Sequence, residues 1–293
     1  MWLKSIDIKA QNCYTQPLYQ ACLNNKNSEK MYFPDKTVRK KCEFKVPSKS
    51  TNLNLLDFRV VFPGKCKGGF SGGSERKETL IVLVQGKCQV SVGNKKYILG
   101  CRKNVFDAPS HSLYLPAGNE YVVRSQKEDS LLCVISVPSL SSEKKIIQIR
   151  PENVKQKIVG KDVSRRTVHT IFSPADINGQ GKLIVGETFN APGKWSSWPP
   201  HKHSVDNLPH ESRYEEVYFF RVRPANGYGL LKFYNNKLNE VYTIKDYDCA
   251  VVTDGFHPVC AAPGCEVYYL WALVGNHDKV INSYDSSFEG LQR

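Results

Sequence analysis

Long apolar runs are missing from this 293-residue sequence. Stretches such as Leu80-Ile-Val-Leu-Val84 fall far short of the roughly 18 residues a membrane-spanning helix needs, so no such helix is expected. The opening Met1-Trp-Leu-Lys-Ser-Ile-Asp7 lacks the apolar core of a secretory signal, which points to a cytoplasmic location. No C-x-x-C pair occurs among Cys13, Cys22, Cys42, Cys66, Cys88, Cys101, Cys133, Cys249, Cys260 and Cys265. That absence argues against a thiolate zinc site or a thioredoxin-type redox pair. Several of these cysteines sit in strand-like stretches, as Cys133 does in Leu131-Leu-Cys-Val-Ile-Ser-Val137, and are expected to be free, buried thiols in a reducing compartment. Amphipathic patterns of helical length are nearly absent too.

Charge is plentiful but not concentrated. Lys and Arg total 41 against 28 Asp and Glu, a net of +13, yet no run of five like charges and no Gly/Arg repeat occurs. Residues 1–160 hold 27 basic and 13 acidic side chains, and the second half holds 14 and 15. The surplus therefore belongs to the first half, as a solvated basic surface, and neither a nucleic acid nor a membrane is expected as partner.

What recurs along the chain is the short β-type run. Leu80–Val84, Cys88–Val92, Leu113–Leu115, Val217–Val222, Leu230–Tyr234, Val241–Ile244, Cys249–Val252 and Val267–Val274 are rich in Val, Ile, Tyr and Phe and are punctuated by Gly, Pro and Asn. The chain is therefore expected to be all-β, a sandwich or barrel. A strand pair, a Gly-bearing turn, and later a Pro/Gly turn before an apolar strand appear in both halves. The turns are Leu115-Pro-Ala-Gly118 in the first and Asp254-Gly-Phe-His-Pro258 in the second. This is the plan of a cupin jelly roll, and two copies imply a bicupin, two jelly-roll barrels in tandem. The expected division is an arm over residues 1–50, a first barrel over 51–150 and a second over 151–293, with the polar Ser139–Lys145 as linker.

Histidine is scarce and unevenly placed: six of seven lie in the second half. His201-Lys-His203 puts two imidazoles at i and i+2, on one face of a strand. Two imidazoles are half a metal site. Glu216, in Glu215-Glu-Val-Tyr-Phe-Phe220, and His257, in Gly255-Phe-His-Pro258, complete the order of ligands found in cupin metalloproteins. Strand alternation groups Glu216 with Tyr218 and Phe220, opposite Glu215 and Val217; Glu215, Glu211 and His210 remain substitutes. The first half has only His111 and no such set, so its barrel is expected to carry no metal.

The second half resembles the 5-deoxy-glucuronate isomerase family, the aldose–ketose isomerases of myo-inositol catabolism. The resemblance rests on the segment from Gly186 to His203, on Glu215–Arg221, on Gly255–Val259, on Ala261–Gly264 and on Tyr268–Trp271. Leu99–Arg102, Val105–Asp107, Leu113–Pro116 and Ser164–Phe172 also fit, so the match runs over about residues 50–275. A related uronate isomerase of pectin breakdown shares the fold and the ligand set. The resemblance implies a divalent metal (Zn, Mn or Fe) on His201, His203, Glu216 and His257, and a small uronic acid as substrate. A homo-oligomer is expected on the same ground. One departure is the twelve-residue spacing from Ser204 to Glu215, where common cupins have three or four residues; the insert is expected to loop over the site.

The chemistry implied is the movement of a hydrogen between adjacent carbons, which needs an electrophile at the oxygens and a general base. The base candidates are Glu187, Glu211, Glu215 and His210. A carboxylate substrate needs a cation at its far end, and the candidates for binding it are Arg166, His169, Lys194, Lys202 and Arg223. Trp195 and Trp198 could wall the pocket or pack in the core. Other readings are the pectin-pathway activity, an Fe-dependent dioxygenase that oxygen consumption would reveal, and a non-catalytic bicupin that binds sugar or metal.

Overall fold

A computed structural model describes residues 30–139, 145–179, 181–277 and 279–290. Most of the expected arm and most of the expected linker lie outside the described residues. No helix of the described residues is long and apolar enough to cross a membrane.

The fold is all-β, two jelly-roll barrels in tandem. In the first, Lys77–Val92 is the organising strand. Its first part pairs with His111–Leu115 and Leu131–Pro138, its second with Lys95–Arg102 and Asn119–Arg124. Register shifts between Leu83 and Gln85, and between Gly86 and Cys88, mark the bend that carries it from one layer to the other. In the second barrel the same passage is broken at Pro224-Ala-Asn-Gly227, because proline cannot donate to a ladder. Tyr214–Arg223 stays in one sheet, between Cys249–Val252 and Glu266–Gly275, and Gly229–Tyr234 joins the other.

Alternation explains how the barrels meet. Ile81 and Leu83 fill the first barrel, and Leu80, Val82 and Val84 point out of it. Tyr218 and Phe220 fill the second, and Val217 and Phe219 point out of it. The outward rows form one shared core, with Phe58, Ile135, Leu270 and Val251 among its members. These strands are apolar on both faces because both faces are buried. Residues 30–50 stitch the halves together: Tyr32–Phe33 pairs with Cys249–Val252 of the second barrel, and Glu43–Lys45 with Asp57–Val61 of the first.

Two carboxylates lie buried at the seam. Glu215 accepts the amides of Asn54, Leu55 and Leu56 at 2.7–3.2 Å, just ahead of the strand Asp57–Val61. Glu78, on the matching strand of the first barrel, accepts the Tyr114 and Ser139 hydroxyls at 3.1 Å, and its other oxygen is buried with no hydrogen-bond partner. Cys42, Cys66, Cys88, Cys101, Cys133, Cys249, Cys260 and Cys265 are all free thiols.

Candidate metal centre

Three donors converge inside the second barrel. One ligand atom each from His203, Glu216 and His257 lies within 4.8 Å of the others, and all three residues are buried. Glu216 Oε2 stands 3.2 Å from His203 Nε2 and 3.6 Å from His257 Nε2. His203 Nδ1 donates to the Tyr214 carbonyl at 3.0 Å and His257 Nδ1 to that of Gly255 at 2.9 Å. These bonds leave both Nε2 atoms aimed into the cluster, the usual way a metal-binding imidazole is oriented. The His257 ring is delivered by a turn at Gly255, where φ is +105° and a Cβ would meet the Tyr234 carbonyl oxygen at 2.7 Å. His201 stands at the edge, its ring centroid 5.0 Å from that of His257.

The electrostatics fit a cation. Burial, followed by the neighbouring imidazoles, pushes His257 down to about 3, and burial with His203 does the same to His201. Both rings are therefore neutral at neutral pH. Burial also works against a charge on His203, but Glu216 and the Tyr214 carbonyl raise its pKa. His257 Nε2 is buried with no hydrogen-bond partner, an orphan whose lone pair calls for one. Two neutral imidazoles, a carboxylate and a third imidazole that gains charge only from it form a donor set suited to a divalent metal.

The surroundings inside the barrel are polar and were not singled out in the sequence. Asn190 donates to Ser196 Oγ at 2.7 Å, Tyr269 to the same oxygen at 2.8 Å, and Trp271 Nε1 to Thr188 at 3.1 Å. The Tyr218 hydroxyl lies by Glu216 and Ser197. Strand parity was the available signal, since Thr188 and Asn190 share one face, as do Tyr269 and Trp271.

Among the cationic candidates, Arg166 is the one whose charge reaches both His201 and Tyr269. It is half-buried and donates to the Ser164 carbonyl at 2.9 Å. The others go elsewhere. Lys202 points away from its two histidines and pairs with Glu211. Lys194 donates to the Asp162 carbonyl at 3.0 Å. Arg223 pairs with Glu266 and lies 3.6 Å from Asp107, over the Phe106 ring.

The four base candidates are not brought to the cluster. Glu187 faces the first barrel, where Arg102 donates to it at 2.7 Å, Tyr268 at 2.7 Å, and His169 stands at 3.3 Å. Here burial opposes the carboxylate, but Arg102 and its neighbours hold its pKa below the ordinary value. His169 thereby belongs to the seam and not to the metal centre. Glu215 is the seam contact described above. Glu211 accepts the amides of Ser204 and Val205 and so ties down its own loop. His210 is exposed at the loop's end. That loop is held on the C-terminal segment, through Ser212 to Ile281 and Asp206 to His277. Trp195 and Trp198 line an outward groove of about 510 Å³ with Lys232, Tyr234 and Phe288.

Known proteins resemble this chain over most of its length. A family model described as KduI/IolB family matches residues 34–290. A 5-deoxy-glucuronate isomerase of Geobacillus kaustophilus is 35% identical over 243 residues, spanning 79% of this chain and 83% of that protein. One of Shouchella clausii is 32% identical, over 79% and 83%. An IolB-like protein of Salmonella typhimurium superimposes with a TM-score of 0.79 at 25% identity, covering 89% of this chain and 98% of that one. The oxalate decarboxylase of Lactobacillus farciminis shares the fold at a TM-score of 0.58 and 10% identity, over 88% and 89%.

Proposed function

The chain belongs to the KduI/IolB family, and from that membership we propose that this isomerase converts 5-deoxy-glucuronate to 5-dehydro-2-deoxy-gluconate with a divalent metal. The observation that carries the reading is the convergence of His203, Glu216 and His257 within 4.8 Å, with His201 beside them.

In the reaction a hydrogen leaves the hydroxyl-bearing carbon and arrives at the neighbouring aldehyde carbon. The hydroxyl oxygen becomes the ketone and the aldehyde oxygen the new alcohol, so no external oxidant is needed. A divalent metal on His201, His203, Glu216 and His257 would act as a Lewis acid toward those two oxygens. Arg166 takes the substrate carboxylate: a planar guanidinium pairs with it through two parallel hydrogen bonds. The hydroxyls of Tyr218, Tyr269 and Ser196 offer donors and acceptors for the sugar hydroxyls. Apolar barrel walls such as Phe220 and Val259 exclude water, which strengthens each of these contacts.

The test is an NMR assay with 5-deoxy-glucuronate, with and without chelator. Turnover that stops on chelation and returns with added metal is the expected result. Unchanged substrate in the presence of metal-loaded protein defeats the assignment.

A further inference from the structure

The first barrel has a pocket where the second has its metal centre. Lys77–Val92 and Tyr214–Arg223 occupy the same place in their barrels. Thr79 stands opposite Ser136 and Leu115, as Glu216 stands opposite Leu273 and Val252. The preceding residues, Glu78 and Glu215, are both buried on the opposite face of their strands. Thr79 therefore holds the position of Glu216, and its hydroxyl meets that of Ser136 at 2.8 Å.

Around this pair lies a cavity of about 290 Å³, lined also by Asp57, Arg59, Lys77 and Tyr121. Arg59 joins Asp57 at 2.9 Å and Glu43 at 2.8 Å; Lys45 and Lys77 stand 2.9 and 3.6 Å from Asp57. Three cations thus face two carboxylates, and Asp57 alone is shared by all three. One positive charge is in surplus, in the half of the chain that holds the basic excess. No histidine or cysteine lines the cavity.

We propose that this pocket is a second ligand site, independent of metal, for a small polyol that bears a carboxylate. The carboxylate sits against Lys77 and Arg59, where it shares cations with Asp57. The polyol hydroxyls exchange bonds with Thr79 and Ser136, against the wall formed by Tyr121. The mouth of a β-barrel with a few convergent polar groups is a common place for a small ligand.

Calorimetric titration of the full chain with D-glucuronate tests this without reference to turnover. His203→Ala disables the metal centre, and the protein so altered is expected to bind one D-glucuronate per chain. Adding Lys77→Ala to it weakens that binding about tenfold, the scale of one charge-assisted hydrogen bond. Lys77 is 40% exposed, so the change leaves the fold intact. Adding Ser136→Leu instead fills the cavity and abolishes binding, with circular dichroism reporting the fold. D-glucose, which lacks the carboxylate, is expected not to bind. The proposal is overturned if His203→Ala protein binds no D-glucuronate, if Lys77→Ala leaves the affinity unchanged, or if D-glucose binds equally.

Discussion

Single residues show where charge is structural and where it is chemical. Arg102 and Glu187 form a fully buried pair across the seam, and Arg102 also donates to the carbonyls of Leu83, Val105 and Ala108 at 2.9–3.3 Å. Arg102→Met strands the Glu187 carboxylate and is expected to cost about 3–5 kcal/mol in chemical denaturation. The pH dependence has a definite sign. Glu187 is held below its ordinary value of 4.5, so its ionisation contributes stability above that pH, lost as pH falls through the depressed folded value. The stability gap between the protein and Glu187→Gln should narrow between pH 7 and pH 3.5 in thermal melts. At the proposed metal centre, His203→Ala removes one of the three converging donors; metal content by mass spectrometry should fall to background while the fold survives. Strand alternation in the sequence singles out His203 and Glu216, and the structure brings them together with His257, leaving His201 at the edge. It did not reveal that the opposite face of Glu216's strand is also buried. Glu215 and Glu187, base candidates from the sequence, are therefore seam contacts in the structure. Arg166 and His169 were read together, although three residues apart on one strand they face opposite ways.

At the scale of elements, the candidate metal centre leans on a C-terminal segment that supplies none of its donors. His201–Lys202 is a two-residue strand whose partner is Ser283–Tyr284, and the Tyr284 ring stands 5.8 Å from that of His201. Asp285 anchors that segment: it accepts the Tyr234 hydroxyl at 2.5 Å and the Ser287 amide at 2.9 Å, and Phe288 packs on Trp198 with centroids 5.0 Å apart. Asp285→Ala is expected to cost about 1–2 kcal/mol. Metal release, followed with a chromogenic chelator, should be faster in that variant. An unchanged release rate would show that the segment does not steady His201. Its partner Ser283–Tyr284 is not legible in the sequence, because two residues present no period to read. The long strands were visible through their Val, Ile, Tyr and Phe content and the Gly and Pro between them.

The whole molecule is built around a core that neither half owns. Phe58, Leu80 and Ile135 come from one barrel, and Val185, Val217, Phe219 and Leu270 from the other. Calorimetry should accordingly give one unfolding transition whose van't Hoff and calorimetric enthalpies agree. Residues 151–293 expressed alone should be insoluble, since that apolar row would face water. Duplicated strand grammar announced two barrels. The shared core was not announced, since a run apolar on both faces looks the same whether it meets a helix, a sheet or a second barrel. The shared core has a consequence for synthesis. A ribosome delivers the first barrel, with Leu80, Val82 and Ile135 bare, well before Leu183 and Glu215 emerge, and Tyr32–Phe33 must wait for Cys249. At about 5–20 residues per second the nascent chain carries this sticky, half-built face for several seconds. Until the second barrel closes over it, that face is the part of the nascent chain most prone to aggregate.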